Sequence, residues 1–149
     1  VLWDTWRINF LSKIAIGLMM FKSTGTLRYT HQRYNLVLDC DHELGRYYRS
    51  LIAKKWLLRR PSWKEHITLI RGPVEFASPP DKELWGKYHD HVITFEYEPF
   101  INTREPEEGY LRYFWLNVLC PQLLDIREEL GLPRPPLFPL HLTIGNLWK

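Results

Sequence analysis

The chain carries the same tetrad twice, as His66-Ile67-Thr68-Leu69 and His141-Leu142-Thr143-Ile144, 75 positions apart in 149 residues. Side chains on a strand alternate between faces, so within each tetrad the His and Thr share one face and the two apolar residues share the other. Each strand must therefore meet a core on one side while offering an imidazole and a hydroxyl on the other. The segments that lead into the tetrads follow one order. Arg33 to Cys40 (RYNLVLDC) predicts a strand from its β-branched and aromatic content. Asp41 predicts a helix N-cap, and Leu44, Tyr48, Leu51, Ile52 and Trp56 recur at helical spacing, so an amphipathic helix is expected over His42 to Leu58. Arg59-Arg60-Pro61-Ser62 breaks it, and Glu65 to Ile70 follows as a strand.

In the second half, His91 to Tyr97 alternates as a strand, and Pro99 to Gly109 reads as a polar hairpin loop. Tyr110 to Leu119 predicts a long aromatic strand. Pro121 to Leu130 predicts a helix that Gly131 stops. Leu132 to Pro139 is a stiff extended connector, and Leu140 to Ile144 the last strand. Strand, helix, Pro-containing loop and tetrad strand thus occur twice, a weak internal symmetry. Strands and helices mixed with hairpin-like connections predict an α+β fold rather than a doubly wound parallel sheet.

The apolar run Ile14 to Phe21 is far shorter than the ~20 residues a membrane span needs. Asp4 sits in the charged lead a signal peptide would have, and no small-x-small site follows, so no targeting segment is expected. Residues 1–21 are expected to be an N-terminal extension, either a surface helix or residues preceding a start at Met19-Met20. Residues 22–149 are expected to form one domain. Cys40 and Cys120 form no CxxC and read as thiols in a reducing compartment.

Twenty Lys and Arg against 17 Asp and Glu give +3, too mild for a protein that tracks long nucleic acid. A small anion in one local basic site fits better. His89-Asp90-His91 resembles a metal-ligand cluster but has no second set of ligands, and reads as a solvated strand start. Lys54-Lys55 and Arg59-Arg60 read as a solvated helix end. Glu105, Glu107 and Glu108 read as a solvated loop rather than a paired-carboxylate site.

Two tetrad strands facing one another across a cleft would surround one phosphate with two imidazoles and two hydroxyls. Histidine titrates near neutrality, so one ring can accept a proton while the other donates one. The hydroxyls can hold the non-bridging oxygens. This chemistry needs neither metal nor cofactor, and none is expected. A lone His-x-Thr is uninformative; the repeated tetrad in equivalent halves is specific. It assigns His66 and His141 as the acid–base pair, in either order, with Thr68 and Thr143 on the phosphate. Tyr29 is a candidate for stacking on a base, with a core or edge tyrosine as the alternative. Arg71 and Lys64 are candidate phosphate contacts. Trp148 and Trp63 flank the tetrad strands and suit stacking or packing.

With its two H-Φ-T-Φ motifs the chain resembles the 2H phosphoesterase superfamily. Five stretches make it look closer to the phage anti-CBASS cyclic-oligonucleotide phosphodiesterases: Gly25 to Thr30, Leu36 to Arg49, Arg60 to Gly72, Leu84 to Tyr88, and Ile126 to Asn146. They cover most of the chain after residue 22. The resemblance implies a bilobal, pseudo-symmetric α+β fold, with antiparallel sheets lining a central groove and helices outside. It implies cleavage of 3′–5′ bonds in cyclic di- and trinucleotide immune signals in the host bacterial cytoplasm. Catalytic roles carry over to His66, Thr68, His141 and Thr143. The expected partner is a cyclic oligonucleotide, with neither long nucleic acid nor membrane. Two other functions use the same residues: cleavage of RNA 2′,3′-cyclic phosphate ends, and non-catalytic sequestration of a cyclic nucleotide. Two titrating groups favour catalysis, since binding alone has no need of them.

Overall fold

The computed structural model describes residues 19–52, 58, 63–104 and 111–148, the side chains of Leu111 and Trp148 excepted, and these residues form seven antiparallel strands and three helices. Residues 1–18 of the expected extension lie outside the described residues. So do 53–57 and 59–62 of the predicted helix end and break, and the glutamates of the 105–108 loop.

The elements in chain order are β1 (Phe21–Tyr29), β2 (Leu36–Cys40), α1 (His42–Ser50), β3 (His66–Ile70), α2 (Gly72–Glu75), β4 (Val92–Tyr97), β5 (Asn102–Arg104), β6 (Leu111–Leu119), α3 (Pro121–Glu129) and β7 (His141–Trp148). Local chemistry explains their limits. The Asp41 side chain accepts from the backbone N–H of Glu43 and caps α1, which begins at the expected residue. Pro121 opens α3. Gly131, at φ +80°, closes it: its N–H reaches the Glu128 carbonyl, and the Leu132 N–H reaches that of Arg127, the paired bonds of a Schellman stop. β7 runs four residues beyond its expected end.

The strand order is β4-β1-β2-β3-β7-β6-β5, and β4 also pairs with β6. Six strands therefore close into an antiparallel barrel, with β5 added at the side of β6. This corrects the expectation of a bilobal α+β fold with two sheets lining a groove and helices outside. The described residues are mostly β, with few helices. The two halves do not stand apart. Ile67 of β3 pairs with Leu142 of β7 at one junction. At the other, the far end of β6 reaches β4 through Glu96↔Leu119 and Tyr97↔Val118. β6 makes this possible because its nine residues exceed what β7 and β5 use.

A single core cluster holds both halves. Ile67, Leu69, Leu142 and Ile144 are fully buried in it, with Leu27, Leu38, Phe95 and Leu116 from the other strands, Tyr48 from α1, and Leu123 and Ile126 from α3. Burying aliphatic side chains of this size stabilises by about 1.5–3 kcal/mol each. Both thiols are free. Burial pushes Cys120 up and Cys40 up to about 12, so neither is a ready nucleophile. Among the described residues no helix is long and apolar enough to cross a membrane.

Candidate active site

The β3–β7 junction decides the geometry of the tetrads. Ile67 opposes Leu142, so in this antiparallel pair His66 neighbours Thr143 and Thr68 neighbours His141. The apolar residues of both tetrads point into the core, and the four polar ones are half-buried on the opposite face. They meet side by side along one junction, not across a cleft between lobes.

The two rings are held alike. The Nδ1 of His66 is 2.7 Å from the Lys64 carbonyl, and the Nδ1 of His141 is 2.7 Å from the Pro139 carbonyl, each two residues upstream. A carbonyl only accepts, so each Nδ1 carries the proton. In the neutral ring Nε2 then has the free lone pair. Burial lowers the pKa of His141, and the positive charges of Arg71 and His66 lower it further, against the opposing Pro139 hydrogen bond. His141 is thus biased towards its neutral, proton-accepting form.

A groove of about 630 Å³ opens beside His141 and Thr143, within the range of small-ligand sites. Arg71, Arg104, Tyr113, Trp115, Asn117, Phe138 and Pro139 complete its lining. The three β6 residues are there because 113, 115 and 117 share a face, and because Trp115 pairs with Thr143 and Asn117 with His141. Arg71 lies 4.9 Å over the Phe138 ring. Burial and the nearby Arg127 lower its pKa while Glu75 opposes them; an arginine so shifted is still a cation. Two guanidiniums and three aromatic rings beside an imidazole and a hydroxyl suit an anionic ligand with a flat ring system.

The remaining sequence candidates divide. Arg71 does line the groove. Lys64 is exposed and touches the site through its backbone carbonyl rather than its ammonium. Tyr29 is core, not a stacking surface: it is 5% exposed, its ring stands edge-on to Trp85 at 5.0 Å, and burial pushes its hydroxyl up to about 12. It lies on the buried face of β1 with Gly25 and Leu27. The Trp148 side chain lies outside the described residues. Trp63 is strongly exposed just before β3. The His89 Nδ1 accepts from the Tyr29 N–H, and its Nε2 approaches Asp90. Among the described residues no group of three His, Cys, Asp or Glu could hold a metal ion. Sequence reasoning passed over Tyr113, Trp115, Asn117 and Phe138, although the alternation of Tyr110 to Leu119 already placed the first three on one face.

Comparison with protein-family models, with curated proteins and with solved structures gave no match.

Proposed function

We propose that the chain is a phosphodiesterase in which His66 and His141 transfer protons and Thr68 and Thr143 hold the phosphate. The observation that carries this is the matched locking of the two rings. Each donates its Nδ1 proton to a carbonyl two residues back, and among the described residues Nε2 has no hydrogen-bond partner; each ring lies beside a threonine on the same face. His141, biased towards neutrality, takes the proton of the attacking water or hydroxyl. His66, protonated, gives one to the leaving oxygen as its bond to phosphorus breaks. The threonine hydroxyls donate to the non-bridging oxygens, and Arg71 offsets their charge. No step calls for a metal ion.

The substrate is a nucleotide phosphodiester, with cyclic di- and trinucleotides in first place. The resemblance of the tetrads and flanking stretches favours that class, and the aromatic and guanidinium lining of the groove accommodates it. On this reading the chain acts in the bacterial cytoplasm and removes the cyclic nucleotides that trigger antiviral defence. The test is product analysis on a panel of cyclic di- and trinucleotides and an RNA ending in a 2′,3′-cyclic phosphate, with excess EDTA. Linearised cyclic nucleotides are expected. Cleavage of the RNA end alone would move the substrate to RNA processing. Tight binding without product would make the chain a sequestering protein.

A further inference from the structure

Each tetrad ends in a bulge. The β2–β3 register steps from Leu36↔Ile70 to Val37↔Thr68 and leaves Leu69 without a partner. The β6–β7 register steps from Phe114↔Gly145 to Trp115↔Thr143 and leaves Ile144 without one. A bulge bends its strand and re-aims the neighbouring side chains, here Thr68 and Thr143. Both freed carbonyls are taken by arginines. Arg127 of α3 donates to the Leu69 carbonyl, and Arg49 of α1 to that of Ile144, both at 2.9 Å. The bonds run crosswise: the helix of each half holds the tetrad of the other.

Both guanidiniums are paired. Arg49 meets Glu65, the residue before His66, at 2.8 Å, and Arg127 meets Glu75 at 2.8 Å. Arg127 is 1% exposed and also donates to the carbonyls of Pro133 and Pro135, on the connector that delivers His141. Glu65 fits because residue 45 is glycine; a Cβ there would stand 2.5 Å from its side chain. Among the described residues the backbone junction between β3 and β7 is the one pair Ile67↔Leu142. A junction that thin leaves the relative placement of the tetrads to groups outside the ladder.

We infer that Arg49 and Arg127 are positioning residues that set the separation of the two imidazoles by fixing the bulge of the opposite tetrad. The proposed reaction is where that separation matters, so the consequence for rate rests on that reading. The separation itself is measured without substrate.

The experiment follows the His141 ring by nitrogen NMR titration. In the native background, His66→Gln removes a positive neighbour and raises the His141 midpoint. In an Arg49→Met/Glu65→Gln background, which leaves no unpaired charge, that rise is expected to shrink by at least half while circular dichroism stays native. Arg49→Lys is expected to restore most of it. An undiminished rise in the folded variant would overturn the inference and leave Arg49 a purely structural residue. If the double variant does not fold, Gly45→Ala, which displaces Glu65, is read in the same way with the same two outcomes. With substrate, kcat is expected to fall about 10- to 100-fold at nearly constant KM, the effect of misplacing a reacting group by about 1 Å. A native chain that turns over no phosphodiester, yet loses the coupling as expected, overturns the reaction and keeps the positioning role.

Discussion

The indole Nε1 of Trp115 donates a 3.0 Å hydrogen bond to the Oδ1 of Asn117, two residues further along β6. The Asn117 amide nitrogen faces Glu98 at 3.5 Å, which orients the amide with its oxygen towards the indole. Trp115 is paired with Thr143, so the ring is fixed beside the position proposed for the phosphate.

Trp115→Ala should therefore weaken ligand binding. Stacking of a base on an aromatic ring contributes about 1–3 kcal/mol, or roughly 5- to 150-fold in Kd. Asn117→Ala keeps the ring but frees it, and should give a smaller loss. Titrating cyclic dinucleotide into the inactive His66→Ala chain measures both. An unchanged Kd for Trp115→Ala would place the base elsewhere.

His66→Ala and His141→Ala should each lower kcat by about 10²- to 10⁴-fold. Two groups that act as a unit are non-additive, so the double variant should be little worse than either single one. Thr68→Ala and Thr143→Ala should be milder, each removing one hydrogen bond to phosphate. Turnover should survive excess EDTA. Near-native rates in either histidine variant would remove the acid–base assignment.

The rate should be bell-shaped in pH. His141 is held below its ordinary value by burial and by Arg71 and His66, so it gains its proton at a lower pH than an ordinary imidazole and with it loses the capacity to accept one. For kcat/KM the acid limb should therefore lie below about 6.5, the ordinary imidazole value. Arg71→Ala should move that limb upward. Asp39, opposite His66 across the β2–β3 ladder and ion-paired with Arg28, is the other charge to control, and Asp39→Asn serves for it. Bound phosphodiester favours the charged rings, so the kcat profile should sit higher than that of kcat/KM. A rate rising steadily from pH 5 to 9 would rule out the paired histidines.

Glu65 gives the fold an acid-sensitive anchor. Burial alone would raise its carboxyl, but hydrogen bonds from His42, the backbone and Arg49 hold it below the ordinary range. A depressed carboxyl contributes stability that is present above its unfolded pKa of about 4.3 and lost as pH falls through the folded value. Glu65→Gln should cost about 3 kcal/mol at pH 7, the low end for breaking a buried pair. Urea unfolding at pH 7 and below pH 4 should show that difference narrowing with acid. A constant gap would mean that the carboxylate charge contributes nothing.

Alternation made each tetrad strand readable, because it is a property of four adjacent residues; the buried Ile67, Leu69, Leu142 and Ile144 follow from it. The caps at Asp41 and Gly131 are equally local. The neighbour of each strand was not readable. The same tetrads suit two sheets across a cleft or two strands sharing a ladder, and only the pairing of Ile67 with Leu142 separates these arrangements. Trp115 was missed for that reason: its face was legible, its place beside β7 was not. Tyr29 stays open in the sequence between stacking and packing, because an aromatic residue on a strand reads alike whether it faces the core or a ligand. Arg127 stands in a charged stretch, Asp125-Ile126-Arg127-Glu128-Glu129, that reads as helix surface, and only the tertiary structure shows three carbonyls and a carboxylate around it.

The pair that closes the barrel has a kinetic meaning. Ile67 and Leu142 meet across half the chain length, and that contact completes the four-residue polar cluster. Contacts between distant segments carry a loop-closure cost that grows slowly with their separation, and chains rich in such contacts fold more slowly. A nascent chain released only as far as the first tetrad has the imidazole of His66 without that of His141. On the proposed reaction, turnover should begin only once the last strand has docked, and recovery of activity after dilution from denaturant should lag behind recovery of β1–β2 secondary structure.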